Sequence, residues 1–115
     1  MLVKAAVCAA SLLSVQAFAA QPPTQPGAIY GSGLLTCNAW LNNPDDLDPG
    51  NRWILGFWSG VNVSYSARIG LGLGDHGIET AVETVCRPNM SMQLYEAGIN
   101  AWVKVKNERT GLNRP

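Results

Sequence analysis

Charge is scarce in this chain. Only 14% of its 115 residues are Asp, Glu, Lys or Arg, against roughly a quarter in an average soluble domain. The eight basic and eight acidic residues cancel. No basic excess exists to displace counterions from a phosphate backbone, so nucleic acid is excluded as a partner. Histidine occurs once, and the three cysteines include no CxxC pair; redox motifs and sequence-local zinc sites are therefore missing. The length leaves no room for a second folded domain, since domains usually need about 100–150 residues. Low charge combined with four tryptophans also excludes a disordered body. Beyond the N-terminus, no apolar run is long enough to span a bilayer. The charge-free stretch 53–67 is interrupted by Gly56, Ser59, Gly60, Asn62 and Ser64 and falls short of the roughly 20 residues a span requires.

Residues 1–20, MLVKAAVCAASLLSVQAFAA, have the layout of a secretory signal. Lys4 supplies a positive start, Ala5 to Val15 an apolar centre, and Ala17-Phe18-Ala19 a small-x-small cleavage site. Removal of residues 1–19 leaves 96 of the 115 residues with a net charge of −1, because Lys4 is lost. The expected product is periplasmic or secreted, with no membrane segment left. Residues 20–29 carry three of the seven prolines and no charge, and read as an extended tail. Cleavage also removes Cys8. Cys37 and Cys86 remain, 49 positions apart, in an oxidising compartment where two cysteines ordinarily pair. Closing such a loop stabilises by roughly 4 kcal/mol on a chain-entropy model.

Hydrophobic spacing then predicts an all-α domain over 30–106, of four or five helices, followed by a polar tail over 107–115. Ser32 is the expected cap of a first helix bearing Leu34, Cys37 and Leu41. The Pro-, Gly- and Asp-rich stretch 42–51 reads as a loop. A second helix is expected from Arg52 to about Ile69, with an apolar stripe at Ile54, Phe57, Trp58, Val61 and Tyr65. Its opposite side, Gly56, Gly60, Val63 and Ala67, is smooth enough for a neighbouring helix, which would make it the central helix. Glycines at 70, 72, 74 and 77 mark a turn. The third helix has the cleanest amphipathic pattern, Ile78, Ala81, Val82, Val85 and Cys86, and Pro88 ends it. Ser91 is the expected cap of a fourth helix with Leu94, Gly98, Ala101, Trp102 and Val105 on one stripe. A Cys37–Cys86 bridge would tie the first helix to the third.

Three segments, TCNAWL at 36–41, WILGFWSGVN at 53–62 and GIETAVETVCRPNMSMQLYEA at 77–97, together resemble the HdeA-type periplasmic family over about residues 34–105. The resemblance implies a small exported helical fold with one disulfide. It also implies an acid-stress chaperone, dimeric near neutral pH, that opens on acidification and holds unfolding clients on exposed apolar surface.

The residues themselves offer few chemical constellations. Asp75, Glu79, Glu83 and Arg87 recur every four residues along the third helix, which makes the three carboxylates a candidate pH-responsive row; side-chain carboxylates titrate near 4. An ordinary solvated helix face fits the same pattern. His76 has no nucleophile placed by sequence to use it. Asp45, Asp46 and Asp48 lack the spacing of a calcium loop, and the glycines at 70–74 lack the strand and Lys-Ser/Thr of a phosphate loop. No cofactor or metal is expected, and no catalytic residue is assigned. Trp53, Trp58, Tyr65, Met90 and Met92 are the candidate protein-binding surface, with Trp53 or Trp58 the tryptophan expected to face solvent. The composite expectation is a non-enzymatic exported protein that binds unfolding clients. The alternative is an inhibitor or immunity protein with one specific secreted target. A homodimer is compatible with either.

Overall fold

The computed structural model describes residues 27–112. The signal sequence and most of the Pro-rich tail, residues 1–26, lie outside the described residues, as do 113–115. Among the described residues the fold is all-helical, with no strand. A 3-10 turn, Gly31–Leu34, leads to α1, Cys37–Asn42; α2, Pro44–Ser64; α3, Gly74–Cys86; and α4, Leu94–Leu112. α2 touches every other element. No described helix is long and apolar enough to cross a membrane.

The start of α1 differs from the sequence expectation. Leu34 belongs to the 3-10 turn and is half exposed. The chain then runs extended through Leu35 and Thr36, and Thr36, not Ser32, caps the helix: its Oγ1 accepts from the Ala39 amide at 3.1 Å. The extended backbone is used elsewhere. The Leu35 carbonyl accepts from the Leu94 amide (2.7 Å), and the Cys37 amide donates to the Met92 carbonyl (2.8 Å). Thr36 and Gln93 thereby form an isolated antiparallel bridge. That pairing starts α4 at Leu94, so Ser91 is not its cap.

Most of the stretch 42–51 is helix rather than loop. Asn43 caps α2 by accepting from the Asp45 amide at 3.1 Å, and Pro44 sits at the first helical position, where no amide is needed. Asp45 and Asp46 lie in the first turn, where the helix dipole favours negative charge. Pro49 removes only the bond to the Asp45 carbonyl, and both residues face solvent. Gly50 is buried because the Trp40 indole lies where its Cβ would be. The same indole donates Nε1–H to Asn51 Oδ1 at 2.9 Å.

α2 is central but not apolar all round. Ile54 and Trp58 are buried, whereas Gly56, Gly60 and Val63 face solvent and no helix approaches them. The helix stops at Ser64, short of Ile69. The third helix matches its expected pattern, with Val82 and Cys86 fully buried. α4 buries Leu94, Ala97, Ala101 and Trp102 and continues through residues read as a polar tail, to Leu112. Cys37 and Cys86 are bonded, with Cα atoms 5.4 Å apart, and both are wholly buried. Around them pack Trp40, Ile54, Trp58, Val82 and Leu94, forming one core.

Candidate functional site

α2 and α4 lie side by side, and an apolar groove of about 290 Å³ runs between them. Phe57, Val61 and Tyr65 line it from α2 and the residue after its last turn. Ile99, Trp102 and Val103 line it from α4. Every lining side chain is aliphatic or aromatic. Tyr65 is 72% exposed, and Ile99 and Val103 are each 42% exposed. Surface of this kind is unusual on a folded domain when it is contiguous, because it leaves apolar area in water.

The local sequence explains the shape. Spacing of four along each helix aligns Phe57 with Val61, and Ile99 with Val103. Gly98 lets the two helices close: a Cβ there would lie 3.2 Å from the Phe57 ring. Phe57 is held by stacking on Trp53, with centroids 5.0 Å apart and planes 9° from parallel. Trp53 in turn donates to the Tyr30 carbonyl at 3.0 Å. Tyr65 packs against Trp102 at 5.6 Å, and Lys106 Nζ lies 5.7 Å from the Trp102 ring centroid, within cation–π range.

Asn62 lies outside the groove lining and joins its Trp102 wall to the segment after α2. Its Oδ1 accepts from Trp102 Nε1 at 2.8 Å and from the Ile69 amide at 3.2 Å, while its Nδ2 donates to the Ile69 carbonyl at 3.0 Å. Trp58 Nε1 donates to the same carbonyl at 2.8 Å. In the sequence Asn62 stands out only as the first residue of an Asn-Val-Ser triplet.

The residues singled out from sequence do not converge. Tyr65 lies at the groove, and Trp53 borders it through Phe57. Trp58 is 1% exposed and belongs to the core, so it is not part of an exposed surface. Met90 and Met92 are half-buried against the core at the disulfide end, away from the groove. Ile99 and Val103 were missed: they sit one position beyond the residues read as the buried stripe of α4, and their spacing of four was the available signal.

Asp75, Glu79 and Glu83 lie along α3. Glu79 Oε1 is 3.8 Å from His76 Nδ1, and Glu83 Oε2 accepts from Arg87 Nη2 at 3.1 Å. Asp48 pairs with Arg52 at 3.0 Å. Among the described residues no charged or polar side chain is fully buried, and no group of three His, Cys, Asp or Glu could hold a metal ion.

No model of a known protein family, no curated protein and no solved structure matches the chain. What the geometry defines is a class: a small, disulfide-stapled helical domain with an open apolar groove.

Proposed function

We propose that this chain is an exported, non-enzymatic protein that binds apolar segments of other polypeptides in the α2–α4 groove. The groove itself carries the reading: six apolar or aromatic side chains line an open cleft on a stapled domain. The occupant is an apolar stretch of another chain rather than a charged ligand. Its α2 wall belongs to the charge-free stretch 53–67, so the contact selects for apolar character and shape.

The sharper form of the reading is acid-stress chaperoning of the HdeA type. Helix order and the Cys37–Cys86 bond are in keeping with the resemblance. In this form, client segments from acid-unfolded proteins occupy the groove, and more apolar surface opens at low pH. The test holds an unrelated protein at pH 2–3 and then neutralises it, with and without the oxidised, mature chain. Suppressed aggregation that is lost in Ile99→Gln/Val103→Gln is the expected result. No protection by the folded wild-type chain would remove the chaperone form. Reproducible capture of one secreted protein at neutral pH, with no acid protection, would point instead to a dedicated inhibitor or immunity protein.

A further inference from the structure

We infer that residues 65–73, which link α2 to α3, form a hinged strap whose release widens the groove. The strap lies over Trp58 and Ile78: a Cβ at Gly70 would sit 3.0 Å from Trp58 Nε1 and 3.4 Å from Ile78. Ala67 and Ile69 pack against the core, but its other large apolar side chains stand open to water. Tyr65 is 72% exposed, Leu71 61% and Leu73 45%.

Its ties are mostly polar. Asn62 bonds both the amide and the carbonyl of Ile69, and Trp58 bonds that carbonyl too. Arg109 Nη1 donates to the Leu71 carbonyl at 2.8 Å. Water can replace each of these bonds at small net cost. A segment held in this way opens more readily than a packed core. The hinges flank the tie: Ser66 has φ +50°, and Gly70 has φ +89°. A serine in the left-handed region is uncommon, and it gains when the segment relaxes.

The strap and the groove share two contacts. Tyr65, the first strap residue, packs on Trp102, and Asn62 bonds both Ile69 and the Trp102 indole. Release withdraws Tyr65 from the groove and uncovers Trp58 beneath. The strap stands on its own geometry; its use as a gate rests on the groove being the binding face.

Amide hydrogen exchange on the intact, oxidised chain at neutral pH tests it. Asn62→Ala is expected to speed exchange at Ala67 and Ile69 about tenfold or more while leaving residues 82–86 of α3 unchanged. Trp58→Phe keeps a ring in the core and loses one donor to Ile69; about a fivefold rise at Ile69 is expected. Unchanged exchange at Ile69 in both variants, or an equal rise along α3, would overturn the strap. Client holding is read in parallel. Strap exchange that responds while client holding does not would keep the strap and remove its role as a gate. Holding that persists with flat exchange would keep the groove and remove the strap.

Discussion

The two ends of this domain are held together by different chemistry. At one end the Cys37–Cys86 bond is wholly buried, α1 is tied by backbone bonds to the residues before α4, and Trp40 fills the space over Gly50. At the other end the links are side-chain hydrogen bonds from Asn62, Trp58 and Arg109 to a glycine-rich connection, and an apolar groove stays open beside them. A small domain has a limited core to spend on uniform rigidity. The covalent, well-packed end sustains the fold, so the polar end can leave apolar area in water. Stability and exposed apolar surface are thus separated along the same helices.

The contrast is broken most severely by removing the staple. Cys37→Ala/Cys86→Ala is expected to cost about 2–5 kcal/mol, read as the midpoint shift in urea denaturation of the oxidised wild type against the double variant. If the cost is below about 1 kcal/mol, the rigid end does not depend on the bond and the comparison fails at its first step.

Next in size is a single methyl group placed at each of three positions in one helix. Gly50→Ala drives a Cβ into the Trp40 indole and is expected to destabilise by about 1–3 kcal/mol. Gly56→Ala and Gly60→Ala meet open space and are expected to stabilise by about 0.5–1 kcal/mol each, through helix propensity. Thermal denaturation of the three variants gives both signs in one experiment.

These glycines also show how far the sequence could be read. The period of 3.6 residues found the core face of α3, because Ile78, Ala81, Val82, Val85 and Cys86 face one core, although Gly74–Gly77, expected in the turn, form its first helical turn. The cysteine count gave the disulfide. Residues 42–51 were misread because Pro, Gly and Asp are turn formers on average. Here Asn43 caps, Pro44 needs no amide, and Gly50 receives an aromatic ring from α1. That last fact is tertiary and leaves no local trace. Gly56 and Gly60 suggested a helix contact for the converse reason: small residues look the same whether a neighbour or water fills the space. Asn62 was illegible as a latch, since its partners Ile69 and Trp102 are 7 and 40 residues away. Tyr65, expected at the surface as part of the apolar stretch of α2, lies at the groove. Trp58 is expected outside on the ground that Ile54 and Phe57 can serve the core side, yet it lies in the core, because spacing alone does not tell which side of α2 meets α4.

A smaller change sharpens the comparison at the open end. Ile99→Gln/Val103→Gln alters side chains that are 42% exposed, and is expected to change stability by no more than about 1 kcal/mol. The same variant is expected to lose client holding several-fold. Equal holding by variant and wild type would move the binding face away from the groove even if the protein proves to be a chaperone.

The smallest expected effect comes from the acidic row, and it bears on the trigger. Glu83 and Arg87 form an exposed pair on one helix face, with side chains 43% and 59% exposed. Such pairs contribute about 0.2–0.5 kcal/mol. Asp75→Asn/Glu79→Gln/Glu83→Gln is therefore expected to leave the neutral-pH denaturation midpoint within about 1 kcal/mol of wild type. No new binding of an apolar dye is expected at that pH. Neutralising the row by mutation imitates what acid does to it and to nothing else. Dye binding by the triple variant at neutral pH would make the row the trigger. A triple variant that stays closed at neutral pH and opens in acid together with the wild type would exclude it. The trigger would then lie among the remaining carboxylates, beginning with Asp48 on Arg52 at the start of α2.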